Sequence, residues 1–147
     1  VCTQNKENTV TKFVATDYNI TINGTSYSTS LAAVTLDISA EEQETTAFGG
    51  SGYRTRIGGL KDASISLDFH QDFGSNAIDS VLFPLLGTGA TVVVKPTSGT
   101  VTATNPSYTG VFLVTEYQPF ASNVGDLATL SVTWPLAGTA GIVRGTA

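Results

Sequence analysis

Asp68, His70 and Asp72 stand two residues apart from one another. On an extended strand they would share one face in steps of about 7 Å. Two carboxylates and an imidazole could ligate a metal or move protons. Same-face neighbours on one strand, however, do not converge on a single ion without ligands from other strands. His70 is also the only histidine, which excludes multi-histidine zinc sites. A serine nucleophile would have to use the same imidazole. The elbow pattern Gly-x-Ser-x-Gly is nearly met at Gly49-Gly50-Ser51-Gly52, but Tyr53 stands where the last glycine belongs. The dinucleotide fingerprint fails in the same stretch, and no phosphate-loop pattern occurs. Glu41, Glu42 and Glu44 read as a solvated strand end. The residues therefore assign no catalytic, cofactor-binding or metal-binding role, and no cofactor is expected.

The elements that position these residues are two alternating segments, 34–41 (VTLDISAE) and 64–70 (SISLDFH). Period-two alternation puts one residue type on each face of a half-buried strand. Between them, 42–62 has no helical period and carries five glycines, the aromatics Phe48 and Tyr53, and the cations Arg54, Arg56 and Lys61. A loop this long inside a compact domain is mostly functional or disordered. Its composition points to an arm that becomes ordered on another molecule.

Upstream, 1–10 is polar and aperiodic and reads as a flexible or partner-bound arm. Segment 12–15 offers a short strand. A strand over 19–22, the hairpin signal Asn23-Gly24 and a return strand over 27–30 follow. After Phe73 the period changes. Ser75 or Asn76 would cap a short helix, with Asp79 near its positive end and Ile78, Val81, Leu82 and Leu85 on one stripe. Pro84 would end it or convert its last turn. Strands are expected over 90–95, 101–104, 108–118 and 127–134, with a turn at 105–107 and a tail from 137 to 147.

Composition agrees with an all-β fold carrying one short helix. Of 147 residues 41% are hydrophobic and 13% charged, which suits one domain spanning 1–147 rather than a disordered chain. Seven Lys and Arg against twelve Asp and Glu leave a net charge of −5, so the basic footprint of a nucleic-acid binder is missing. Cys2 is the only cysteine and cannot close an intramolecular disulfide. No apolar run approaches membrane-spanning length, and no signal peptide is visible, so the expectation is folding in a cytosol without a membrane partner. Two function classes stay open on these grounds: a self-assembling structural subunit, and a β-sandwich module that binds a glycan or receptor.

Several segments in order resemble the major tail tube proteins of long-tailed, siphovirus-type bacteriophages. They are Thr45-Thr46-Ala47-Phe48-Gly49, Gly58-Gly59-Leu60-Lys61-Asp62, Ser66-Leu67-Asp68-Phe69, Gly125-Asp126-Leu127-Ala128 and Val132-Thr133-Trp134-Pro135. The resemblance runs from about Ile20 to Arg144. It implies a β-sandwich or partly open barrel with a long inter-strand loop and a flanking helix. It also implies a structural virion protein that is not an enzyme and assembles with itself into stacked hexameric rings. Strands of neighbouring copies would join in one inner barrel through which double-stranded DNA passes without specific binding. Tape measure, tail terminator and tail-tip proteins would be partners, and assembly would occur in the host cytoplasm. Type VI secretion tubes share the fold and are the alternative within this class; the extra C-terminal domain of some relatives is expected to be absent.

On this reading Thr46, Phe48, Gly49, Tyr53, Arg54, Arg56 and Lys61 contact adjacent subunits. The aromatics would serve as anchors, and the two arginines would pair with carboxylates there. On the strand 64–72 the apolar set must face the core, because burying unpaired carboxylates would cost several kcal/mol. Ser64, Ser66, Asp68, His70 and Asp72, with Thr129, Ser131 and Thr133, would then pave the lumen. The other possibility is that this face looks outward to solvent.

Overall fold

Alternation of apolar and polar residues sorts the chain into two sheets. The computed structural model describes residues 12–147. Cys2 and the arm 1–10 lie outside the described residues. The strands are β1 (Asn19–Ile22), β2 (Thr25–Ser26), β3 (Leu31–Glu44), β4 (Arg56–His70), β5 (Gly89–Lys95), β6 (Ser107–Leu113), β7 (Thr129–Pro135) and β8 (Val143–Gly145). One helix, α1 (Ile78–Leu85), lies between β4 and β5. The first sheet is five-stranded in the order β2-β1-β5-β6-β8, and the second is three-stranded in the order β3-β4-β7. Every strand pair is antiparallel.

The sheets meet at one corner. The chain leaving β7 crosses over, so that the Leu136 N–H donates to the Ala63 carbonyl at 2.9 Å and the Ala137 N–H to the Val111 carbonyl at 2.8 Å. Leu136 also bridges Phe112 of β6. No barrel closes. Between the layers Ile65, Leu67 and Phe69 of β4 and Leu130, Val132 and Trp134 of β7 meet Ile20, Ile22, Ala90, Val92 and Phe112 of the other sheet. Trp134 is fully buried, and its indole N–H donates to the Glu116 carbonyl at 3.2 Å, which satisfies the one polar atom it brings into the core. Gly110 lets its neighbours pack closely over β6. A Cβ there would stand 2.6 Å from the Ile142 Cδ1 and 3.0 Å from the Phe112 ring.

Element types follow the sequence pattern, but several boundaries move. Segment 12–15 forms no strand. Asn23 and Gly24 make the expected turn with φ of 50° and 88°. The return strand is Thr25–Ser26 rather than 27–30, because Tyr27 turns into the core and Ser28–Ser30 forms a 3-10 turn. The helix is capped by Ala77 with no side-chain bond, not by Ser75 or Asn76; Asn76 is spent on a left-handed turn at φ 58°. Pro84 sits inside the last turn, and the helix stops one residue later. Ile78 and Leu82 are buried, while Val81 and Leu85 pack at the margin of the core.

Residues 101–104 hold a turn closed by the pair Thr102 and Asn105 rather than a strand. β6 stops at Leu113, short of 118. The segment 137–147 is not a plain tail, since β8 pairs Val143, Arg144 and Gly145 with β6. No helix among the described residues is long and apolar enough to cross a membrane.

Candidate functional site

The three-stranded sheet carries the surface that the sequence analysis singles out. Register brings its polar residues together: Ser66 stands opposite Thr133, Asp68 opposite Ser131, and His70 opposite Thr129. The Ser66 and Thr133 hydroxyls are 3.1 Å apart. Their neighbours Ile65, Leu67, Phe69, Leu130 and Val132 are buried, so alternation divides the two faces cleanly. β3 extends the polar face with Thr35 opposite Ser66 and Asp37 opposite Ser64. These two residues were missed as site residues, although the alternation of 34–41 already placed them on one face.

Asp72 does not belong to this face. β4 ends at His70, and the Asp72 carboxylate instead accepts the Gly74 N–H at 2.8 Å in the turn that leads to the helix. No cluster of three or more histidine, cysteine or carboxylate ligands exists among the described residues.

The inter-strand loop is shorter than 42–62. β3 runs 14 residues and β4 runs 15, so the excursion is a long β-hairpin whose tip is 45–55. Arg56 and Lys61 thus lie on β4 rather than in a loop. Threonines close the tip. The Thr45 N–H donates to the Thr55 carbonyl at 2.8 Å, and the Thr55 N–H to the Thr46 hydroxyl at 3.1 Å. Gly49 and Gly52 take φ of 90° and 82°, which favours glycine.

The two arginines pair at home. Arg56 Nε is 2.6 Å from Glu42, and Arg54 is 3.8 Å from Glu44, within the hairpin and exposed. In the single chain, antiparallel pairing sets the hairpin's own acidic strand beside them. Phe48 and Tyr53 are different: Phe48 is fully exposed, Tyr53 is 80% exposed, and both project from the tip into solvent.

The far end of the sheet is tied to the helix through polar contacts. The Tyr117 hydroxyl donates to the Asp79 carboxylate at 2.6 Å and accepts from the Gln71 amide at 3.1 Å. Burial, reinforced by the bond to Asp79, pushes the Tyr117 phenol up to about 12. Phe73 and Phe120 stack beside this network at 5.5 Å between ring centres. At the other end, the Ser98 N–H and hydroxyl both donate to Asp17, at 3.0 and 2.9 Å, and hold its carboxyl below the usual carboxylate range. A groove of about 460 Å³ opens nearby between the sheets, lined by Phe13, Tyr18, Val34, Leu36, Ile38 and Tyr108 among others.

The fold is that of several solved chains. A chain of the virion of a native gene transfer agent particle superposes with a TM-score of 0.72 at 18% identity, over 92% of this chain and 100% of that one. A chain from the tail of an empty gene transfer agent particle, with C6 symmetry, gives 0.62 at 20% identity over 84% and 88%. A chain of the six-fold symmetrised baseplate of the anti-feeding prophage gives 0.58 at 14% identity over 93% and 97%. No family model matches the sequence, and no curated protein matches it. The architecture is all-β and of the tail-tube type, and at these identities the likeness shows the fold.

Proposed function

We propose that this chain is a structural subunit of a phage-type tail, which joins copies of itself into stacked rings that form the tail tube. The observation that carries the reading is β3. It is 14 residues long, lies at the edge of the three-stranded sheet, and has no strand on its outer side among the described residues. A long open edge is a liability that ring closure removes. The C6 symmetry of the gene transfer agent tail, a chain of which shares this fold, supports six copies per ring.

In such a ring the polar face of β3, β4 and β7 lines the lumen. Thr35, Asp37, Ser64, Ser66, Asp68, His70, Thr129, Ser131 and Thr133 then form a wall of small hydroxyls and carboxylates. Repetition around the ring multiplies its negative potential, and passing phosphates are repelled rather than held. The role is not enzymatic, and tape measure, terminator and tail-tip proteins are the partners of the assembled tube. Electron microscopy of the purified chain tests the reading. Tubes or six-fold rings are expected, and a monodisperse monomer across concentration and salt would overturn it.

A further inference from the structure

With β3 left open, the other edge that pairs in the tube has to be kept closed in the free subunit, or free copies would join without control. Exposed strand edges template unwanted association. β7 is the second edge of the three-stranded sheet. The backbone groups of Leu130, Val132 and Trp134 point to β4, and strand geometry turns those of Thr129, Ser131 and Thr133 the other way.

Two of these outward donors are held by side chains. The Thr133 N–H donates to the Glu116 carboxylate at 2.8 Å, and the Thr129 N–H to the Ser122 hydroxyl at 3.1 Å. Glu116 is itself anchored beside the edge, because its carbonyl accepts the Trp134 indole N–H at 3.2 Å. Between the two guards lies Pro119, which has no N–H to offer a ladder; its carbonyl is held by the Gln71 amide at 2.9 Å. Segment 116–122 thus lies along β7 without forming a strand.

We infer that residues 116–122 are a removable guard: Glu116 and Ser122 occupy the β7 donors in the free subunit and release them to the β3 edge of a second copy. The inference rests on the tube reading. Both guard side chains are exposed, so they can rotate away and take donors from water while the Glu116 carbonyl keeps the buried Trp134 indole N–H. The incoming β3 replaces them with backbone carbonyls. By the same alternation its outward groups are those of Val34, Leu36, Ile38 and Ala40. A charged acceptor holds a single donor strongly but offers none in return, so it blocks an edge without extending it.

The test compares the parent chain with Glu116→Ala and Glu116→Gln, following tube growth by light scattering. The alanine variant loses the guard and should grow roughly fivefold faster, the rate equivalent of one hydrogen bond. The glutamine variant keeps an acceptor and should stay within about twofold of the parent. Growth of the alanine variant at the parent rate or slower overturns the inference. A second measurement does not need tubes. A synthetic peptide of residues 31–44 should bind the monomeric alanine variant roughly fivefold tighter than the parent, and equal binding overturns the guard. Tighter peptide capture without tubes from any variant would keep the guard and count against the tube reading alone.

Discussion

Ser66 of β4 and Thr133 of β7 face each other with hydroxyl oxygens 3.1 Å apart, directly above a fully buried layer formed by Ile65, Leu67, Val132 and Trp134. One residue step separates a polar, solvated surface from the core. A slip of one residue between β4 and β7 would exchange the two, and this pins the register wherever one face is buried. The wall that the tube reading assigns to the lumen is therefore positioned by the core beneath it.

The same coupling makes the helix a structural element rather than part of the surface. Leu82 is fully buried in the core, so Leu82→Ala should cost about 2–5 kcal/mol through lost transfer energy and the cavity left behind. Val81 is only half-buried, and Val81→Ala should cost clearly less. Chemical denaturation of the monomer measures both, and equal losses would mean that the stripe faces the core through Val81.

Most of this was legible in the sequence, and what was not has identifiable causes. Alternation located β1, β4, β5 and β7, because each has one buried face. It does not locate the outer halves of β3 and β4, where Glu42, Glu44 and Arg56 face solvent and carry no apolar signal. Pattern alone makes that stretch a loop, although its backbone is paired out to Glu44 and Arg56. β8 was missed for a similar reason: three residues, mostly exposed, are held by pairing to β6. Asp72 failed because a strand pattern was carried two residues past the end of the strand. Asn76 failed as a cap because its left-handed φ serves the turn before the helix.

Phe48 and Tyr53 bury little or nothing in the single chain. Changing both to serine should therefore leave the monomer within about 0.5 kcal/mol of the parent, the usual range for surface substitutions. If the tip contacts an adjacent subunit, tubes should fail to form. Normal polymerisation of the double variant would show that the tip is a free surface loop.

Tyr117 gives a pH dependence with a definite sign. Its folded value of about 12 lies above the ordinary 10.0, so the folded state favours the neutral phenol. The stabilisation is complete below pH 10 and is lost as the pH rises towards 12. Melting temperatures of the parent should fall across that window more steeply than those of Tyr117→Phe, in which nothing titrates at that position. Parallel curves would show that burial and the bond to Asp79 do not hold the phenol neutral in the folded chain.

The last prediction concerns the polar wall. Asp68 on β4 and Asp37 on β3 share its outward face, and Asp72, which lies in the turn before the helix, does not. Both carboxylates are exposed in the single chain, so Asp37→Lys with Asp68→Lys should fold normally. If the face looks into a lumen, each subunit exchanges two negative charges for two positive ones, and six-fold repetition turns a repelling wall into an attracting one. Tubes should still assemble, but passing DNA should be retarded because each lysine recruits phosphate and releases counterions. The delay should be strong at low salt and fade as salt rises, since screening shortens the reach of surface charge to about 8 Å at physiological ionic strength. Asp72→Lys alone should leave passage unchanged. Measuring DNA ejection from particles carrying the double variant decides the matter: unaltered kinetics at low salt would mean that this face points away from the lumen.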